Sequence, residues 1–285
     1  TASAVEPHPP PAQSPPSAPA PSRLSFFWES LGWGAPAVLD SGRVRGMIEL
    51  KSVGLRYRMD LPQVLDDITV SIQPSEKVGV VGRTGSGKSS LLMALTRLVA
   101  PPLRSGVITL DGQDISTLPL LPYRAAICVI PQEATLFSGS VRFNLDPLHE
   151  HTDMELWQVL QRVRLAASVR TLDDTIAEDG ANLSAGQRQL LCIARALLAR
   201  PSVIIMDEAT SAVDAETDAF IQRVVRSEFS DATVITIAHR LNTILDADKV
   251  LVLDNGRVVE FGPPKELMAR RDGTFRQMVS HSSHL

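Results

Sequence analysis

The sequence contains little cysteine, few aromatic residues and no excess of positive charge. Its two cysteines, Cys128 and Cys192, lie in apolar runs without metal-ligand spacing, which argues against a disulfide framework and favours two buried thiols in a reducing compartment. Lys and Arg total 28 against 32 Asp and Glu, a net charge of −4. The chain therefore lacks the general basic field that nucleic-acid binding requires, and no nucleic-acid partner is expected.

Long apolar runs are also missing. None approaches the ~20 residues that a membrane-spanning helix needs. The first residues do not show the charged-then-apolar pattern of a secretory signal peptide. Any association with a membrane is therefore expected to come through a partner or through chain that lies beyond this sequence.

Proline is concentrated at the start of the chain. Residues 1–22 are rich in Pro, Ala and Ser, a composition that buries too little apolar surface to offset the entropy of ordering. Residues 1–44 are therefore predicted to form a disordered linker. It contains a short aromatic segment, Phe26-Phe27-Trp28 with Trp33, which could pack on the folded domain, on a neighbouring domain or at a membrane interface.

From residue 45 to residue 285 the pattern is that of one folded α/β domain. Strand patterns alternate with helical patterns, which predicts a mainly parallel sheet with helices on both faces and small antiparallel elements at the beginning and the end. The strand patterns cover residues 48–57, 64–72, 78–81, 107–110, 203–206, 233–237, 250–253 and 258–261, and the helical ones 90–95, 154–165, 190–198 and 216–229. The turn Asp254-Asn255-Gly256 predicts a hairpin.

A glycine-rich segment follows the strand at residues 78–81. It reads Gly82-Arg83-Thr84-Gly85-Ser86-Gly87-Lys88-Ser89 and runs into a helical segment that begins at Ser90. This is the context in which the pattern G-x-x-x-x-G-K-[ST] indicates a phosphate-binding loop. Glycines let backbone N–H groups approach a polyphosphate, and the helix start adds a positive dipole end. Lys88 supplies a cation, and the Ser89 hydroxyl can bind Mg²⁺. The loop predicts a nucleoside triphosphate site; a ligand-free βα turn is the alternative.

Two carboxylates stand at the end of a second buried strand. Phosphoryl transfer requires a held Mg²⁺ ion and an oriented water molecule. Asp207 is the candidate Mg²⁺ ligand, and Glu208 is placed to polarise the water. Without a phosphate loop, the pair would be interpreted as a helix cap or a solvated turn. His239 ends another predicted strand and could reach the γ-phosphate, although a lone histidine there is as often structural.

Residues 183–187, Leu-Ser-Ala-Gly-Gln, combine two compatible signals. Ser184 and Gln187 match a capping box that would open the helix at residues 190–198. A helix start with the small residues Ala185 and Gly186 is also an anion site, which could face the γ-phosphate of another subunit.

The sequence resembles the nucleotide-binding domain of ATP-binding cassette (ABC) transporters over residues 47–279. The resemblance implies a P-loop NTPase (RecA-like) α/β fold with an antiparallel β subdomain and a helical subdomain at about residues 138–200. It implies that ATP and Mg²⁺ bind. The matching positions, in the order of the family motifs, are the adenine-stacking aromatic Tyr57, the Walker A loop 82–89 with Ser90, the Q-loop glutamine Gln132, the signature 183–187, the Walker B residues 203–207, the catalytic carboxylate Glu208, the D-loop 211–214 and the switch histidine His239.

Longer segments narrow the resemblance to the multidrug-resistance-associated (C) subfamily. They are residues 76–85, 136–140, 144–147, 182–190 and 238–241. In that subfamily, the second cassette usually keeps a catalytic glutamate but loses a signature glycine. Here Glu208 is present and Ala185 replaces that glycine. The chain is therefore expected to be the second, C-terminal cassette of a full-length exporter.

The resemblance also implies how such a domain works. It would close head to tail with a second cassette, and Gln132, which would also contact Mg²⁺, would link the nucleotide to transmembrane domains at the cytoplasmic face of a membrane. Hydrolysis of ATP would power export of a solute, and the isolated domain would hydrolyse ATP weakly. Two alternatives remain: a nucleotide-sensing regulatory module of a channel-type ABC protein, and a soluble ABC ATPase.

Overall fold

The computed structural model describes residues 44–207, 213–238 and 244–282, which all lie in one unit, Pro36–Leu285. The predicted linker and its aromatic segment lie outside the described residues. The strands are β1 (Ile48–Leu55), β2 (Leu65–Ile72), β3 (Lys77–Gly82), β4 (Arg104–Leu110), β5 (Gln113–Asp114), β6 (Ile127–Ile130), β7 (Gly139–Ser140), β8 (Thr175–Ile176), β9 (Val203–Asp207), β10 (Thr233–Ile237), β11 (Lys249–Asp254) and β12 (Arg257–Gly262). The helices are α1 (Lys88–Leu95), α2 (Leu120–Ala126), α3 (Val141–Leu145), α4 (Asp153–Arg162), α5 (Ala185–Ala199), α6 (Ala215–Glu228), α7 (Pro264–Ala269) and α8 (Thr274–Ser282).

A six-stranded sheet carries the strands that precede the candidate site. Its order is β12-β11-β3-β10-β9-β6, and every neighbouring pair is parallel except β11 and β12. Ile237 of β10 lies opposite both Val80 of β3 and Asp207 of β9. The carboxyl ends of these parallel strands therefore meet at one edge, as the alternating pattern predicted.

The central strands of the sheet are buried on both faces because they are mainly apolar. Along β9, Val203 and Ile205 belong to one core and Ile204 and Met206 to the other. The first core contains α1 and the antiparallel strands, and the second contains α4, α5 and α6. Helices on both faces confirm the expected α/β architecture.

The two other sheets are antiparallel. The sheet with the order β2-β1-β4-β5 lies at the beginning of the domain, as expected. The pair β7 and β8, among the helices α3 to α5, was not predicted. The predicted hairpin joins β11 to β12, with Asn255 at φ 46° and Gly256 at φ 76°. Two successive positive φ values are those of a type I′ turn, which explains the Asn-Gly pair.

The helical predictions are confirmed with small shifts at their ends. α4 ends at Arg162 instead of at residue 165, and Thr152 opens it with a capping box to Glu155. No helix in the part of the chain that the structure describes is long and apolar enough to cross a bilayer. Of the two thiols that were expected to be buried, Cys192 is buried and Cys128 is half-buried.

Candidate functional site

The glycine-rich loop joins β3 to α1 in a shape that depends on its glycines. Gly85 has a φ of 81° and Gly87 a φ of 107°, both in the left-handed region that side chains disfavour. A Cβ atom on Gly82 would lie 2.3 Å from Ser86 Oγ and 2.4 Å from the Leu253 carbonyl oxygen. The loop thus requires glycine for backbone conformation at two positions and for close approach at a third.

Lys88 is the first residue of α1, and its ammonium is folded back over the loop. Nζ donates to the Gly82 carbonyl at 2.8 Å and to the Arg83 carbonyl at 3.2 Å. Burial lowers the pKa of Lys88 below its usual range, and the nearby Asp207 carboxylate opposes that shift. The residue that would bind the outer phosphates is therefore held at the loop, and the Asp207 carboxylate two strands away interacts with it electrostatically.

The β11–β12 turn supports the phosphate loop through backbone hydrogen bonds. Gly256 N–H donates to the Ser86 carbonyl at 3.0 Å, and Asp66 N–H donates to the Gly256 carbonyl at 2.8 Å. A Cβ atom on Gly256 would lie 2.5 Å from the Val64 carbonyl oxygen. The Asn-Gly signal found the turn, but no sequence pattern indicated that it packs on a loop about 170 residues earlier.

The loop fits an anionic ligand. The Ser86 hydroxyl is buried and, in the described part of the chain, has no hydrogen-bond partner. Such an orphaned polar group is costly unless a ligand or water satisfies it. Ser89 is exposed, and Asp207 at the end of β9 is half-buried, so both can offer oxygen atoms to a cation.

The donor set fits Mg²⁺ held mainly by a bound phosphate. Within residues 44–207, 213–238 and 244–282, no group of three or more His, Cys, Asp or Glu side chains could hold a metal ion. Mg²⁺ typically takes only one or two protein oxygens and completes its octahedron with phosphate and water. Ser89 and Asp207 match that requirement.

Two predicted catalytic residues cannot be placed. Glu208 and His239 lie outside the described residues, as does part of the D-loop, residues 211–212. The strands that lead to them, β9 and β10, end side by side at the edge that carries the phosphate loop.

Tyr57 lies just after β1 and is 43% exposed. Its hydroxyl is 2.7 Å from the hydroxyl of Ser90, which is the third residue of α1. An exposed aromatic ring beside the phosphate loop is consistent with a surface on which a base stacks. The alternative, that Tyr57 is an ordinary aromatic residue of a strand, fits less well because Tyr57 is not in a strand.

Gln132 is exposed beyond the end of β6 and lines a cavity of about 390 Å³. Ala185 and Arg188 of α5 line the same cavity, and Gln189 Nε2 donates to the Pro131 carbonyl at 3.4 Å. The Q-loop segment and the start of the signature helix are therefore neighbours.

The signature segment forms the predicted capping box. Ser184 Oγ accepts from Gln187 N–H at 3.1 Å, and the Gln187 side chain accepts from Ser184 N–H at 2.9 Å. The first turn of α5 holds no acidic residue, so its positive dipole end is not neutralised locally. No sequence pattern indicated that α6 also constrains Gly186: a Cβ atom there would lie 2.7 Å from Thr217 Cγ2 of α6.

The chain matches known proteins over most of its folded part. A family described as "ABC transporter" matches residues 65–211, just over half of the chain. The ATP-binding cassette transporter abc2 of Schizosaccharomyces pombe is 47% identical over 241 residues, which are 83% of this chain and 16% of that protein. The ATP-binding cassette sub-family C member 2 of Rattus norvegicus is 48% identical over 241 residues, which are 83% of this chain and 15% of that protein. The chain thus spans about a sixth of the length of these curated relatives.

A solved structure agrees with this assignment. The structure of a bacterial Atm1-family ABC exporter with ATP bound matches with a TM-score of 0.78 at 33% identity, over 85% of this chain and 43% of that chain. The family match includes the phosphate loop and the strand that ends at Asp207. The chain therefore belongs to the ABC transporter family, as an ATP-binding ATPase domain similar to those of the C (multidrug-resistance-associated) subfamily.

Proposed function

We propose that this domain hydrolyses ATP to power export of a solute, as the second, C-terminal cassette of a longer transporter. The observation that carries the proposal is the common edge of β3, β10 and β9, where Lys88 and Asp207 influence each other electrostatically. A phosphate loop and a strand-end carboxylate on one sheet edge are the arrangement that phosphoryl transfer from a nucleoside triphosphate needs.

Each residue has a distinct role in this proposal. The loop amides and Lys88 bind the phosphates, and Tyr57 stacks on the adenine. Ser89, Asp207 and Gln132 would hold Mg²⁺, which would supply positive charge against the phosphate oxygens. Glu208 accepts a proton from the attacking water, and His239 contacts the γ-phosphate. The leaving group is ADP.

The site is completed by a second cassette in head-to-tail arrangement. Among the described residues, no hydrogen bond joins residues 184–187 to the loop at residues 82–89, so the signature helix start is not engaged by the chain's own phosphate loop. Its capped, locally un-neutralised N-terminus suits the γ-phosphate bound to the partner. The methyl group of Ala185 crowds that approach, so Ala185→Gly should speed turnover at the partner's site.

Transmembrane domains dock on the helical part of the chain in this proposal. Several large apolar side chains are exposed in a short stretch of this part, which follows Gln132 closely in the sequence. They are Phe137 (59% exposed), Phe143 (42%), Leu148 (69%) and Met154 (70%). Exposed apolar side chains that contact each other, as Phe137 and Phe143 do with ring centroids 6.3 Å apart, are typical of a protein–protein interface. The domain would then sit at the cytoplasmic face of the membrane.

The test is Glu208→Gln in the complete transporter. Multiple turnover should be abolished while ATP binding stays within about threefold, because the amide keeps the shape of the carboxylate but cannot accept the proton. Glu266→Gln, at an exposed position on α7, is the matched control and should retain activity. Normal steady-state hydrolysis by Glu208→Gln would remove the general-base assignment. Hydrolysis without solute movement would favour the regulatory-module alternative.

A further inference from the structure

The loop between β1 and β2 carries Tyr57 on a closed, anchored frame. Arg56 N–H donates to the Leu103 carbonyl at 2.9 Å, and Val64 N–H donates to the Leu55 carbonyl at 2.7 Å, so the loop is closed at its two ends. The backbone beneath Tyr57 is therefore fixed by hydrogen bonds to β1 and to the segment that precedes β4.

The far end of the Tyr57 side chain is fixed as well. Its hydroxyl lies 2.7 Å from Ser90 Oγ, 33 residues away in the sequence. Ser90 is only 6% exposed, whereas Tyr57 is 43% exposed. A buried hydroxyl on α1 thus holds the tip of a side chain that is otherwise partly exposed to solvent.

A tethered ring differs in binding from a free one. An exposed tyrosine on a loop samples several rotamers, and stacking a base on it would require that freedom to be lost at the moment of binding. The Ser90 hydrogen bond removes that freedom in advance. It also joins the ring to α1, the helix that begins with Lys88, so that base and phosphate contacts share one rigid support.

We propose that Ser90 is a positioning residue for the nucleobase: its hydroxyl orients the Tyr57 ring and so contributes to ATP affinity through the base instead of through a phosphate. This inference rests on the proposed role of Tyr57 as the adenine platform. It assigns Ser90 a different role from the phosphate contact that its place in the Walker A segment suggests.

Two probes separate the two roles in the 285-residue chain: ATP, which has a base, and inorganic tripolyphosphate, which has none. Tyr57→Phe keeps the ring and loses the hydrogen bond, and Ser90→Ala loses the same bond from the other side. Each should weaken ATP binding by about 3- to 10-fold, the range of one net hydrogen bond, and leave tripolyphosphate binding unchanged.

The double variant and a rescue variant complete the design. Tyr57→Phe combined with Ser90→Ala should weaken ATP binding no more than either change alone, because both remove one interaction. Ser90→Thr keeps a hydroxyl and should restore ATP affinity relative to Ser90→Ala. Affinities are measured by isothermal titration calorimetry, and the melting temperature without nucleotide verifies that each variant is folded.

The outcomes are distinguishable. Equal losses of ATP and tripolyphosphate binding in Ser90→Ala would show a direct phosphate contact and overturn the inference. Tyr57→Phe should fold normally, because the exposed side chain loses only one oxygen atom. Unchanged ATP binding in this variant would overturn the inference as well. If Tyr57→Ala also leaves ATP binding unchanged, the adenine-platform role itself fails. If only Tyr57→Ala weakens binding, that role stands and the positioning role of Ser90 does not.

Discussion

Gly87 should be less replaceable than Gly85, which provides a matched comparison within the phosphate loop. Both have positive φ, 107° for Gly87 and 81° for Gly85. They differ in their surroundings: a Cβ atom on Gly87 would lie 2.8 Å from Leu65 Cδ2 and 3.1 Å from the Val64 carbonyl oxygen, whereas one on Gly85 would meet nothing within 4 Å. Alanine at both positions therefore separates backbone strain from steric contact.

The expected magnitudes follow from these two contributions. A non-glycine residue in the left-handed region costs about 1–2 kcal/mol, which should be the whole effect of Gly85→Ala. In Gly87→Ala, the contact with buried Leu65 adds an overpacking cost of about 1–3 kcal/mol. The free energy of unfolding should therefore fall by about 2–5 kcal/mol for Gly87→Ala, and at least 1 kcal/mol more than for Gly85→Ala.

Chemical denaturation of the chain without nucleotide measures both values, since the midpoint and slope give the free energy of unfolding. The slope should not change, because neither residue alters the surface exposed on unfolding. Equal destabilisation by the two substitutions would refute the claim that the β1–β2 loop packs on Gly87. A smaller effect at Gly87 than at Gly85 would refute it outright.

Three further changes test the surroundings of the site. Lys77→Met should lower the free energy of unfolding by about 2–3 kcal/mol without changing ATP affinity, because it removes an ammonium that lies 2.6–3.1 Å from the Ser75, Phe229, Ser230 and Ala232 carbonyl oxygens and shares its three N–H groups among them. Exposed Lys265→Met is the control in denaturant titrations. Gly256→Ala should weaken ATP binding in calorimetry, since its Cβ would displace the Val64 carbonyl beside the phosphate loop, whereas Gly112→Ala, at φ 81° with nothing within 4 Å, should not. Burial raises the pKa of the Cys128 thiol to about 11, so the folded state keeps a proton that the unfolded state releases at about pH 8.5. The free energy of unfolding should therefore be full below about pH 8.5 and fall as the pH rises towards 11. Cys128→Ala should flatten that fall in urea melts from about pH 8 to 10.5. An unchanged pH slope in Cys128→Ala would contradict that account.

Local signals predicted the elements well where each depends on neighbours in sequence. The capping box at Ser184 and Gln187 spans three residues, and the Asn255-Gly256 turn needs only its own positive φ values. The strand, loop and helix around Lys88 follow from periodicity and glycine content. The parallel sheet followed in turn, because strands that alternate with helices have few other arrangements.

Contacts between distant segments could not be predicted in this way. The packing of the Gly256 turn on Ser86, the approach of Thr217 to Gly186 and the link from Tyr57 to Ser90 have no local pattern. In each case the local sequence already explains the glycine or the hydroxyl, so it gives no sign that a tertiary contact also requires that residue. Gly186, for example, was interpreted only as part of an anion site, although α6 also requires it to be small.

The sequence by itself determined the family, the strand–loop–helix that binds phosphate and the order of the motifs, because these depend on residue types at short, fixed spacings. Tertiary structure decided which groups stand beside the loop. Parallel pairing brought Asp207 to the edge that carries Lys88, and the fold of the antiparallel sheet brought Tyr57 to Ser90. Those contacts depend on how strands far apart in the chain align, and side-chain packing over the whole domain fixes that alignment.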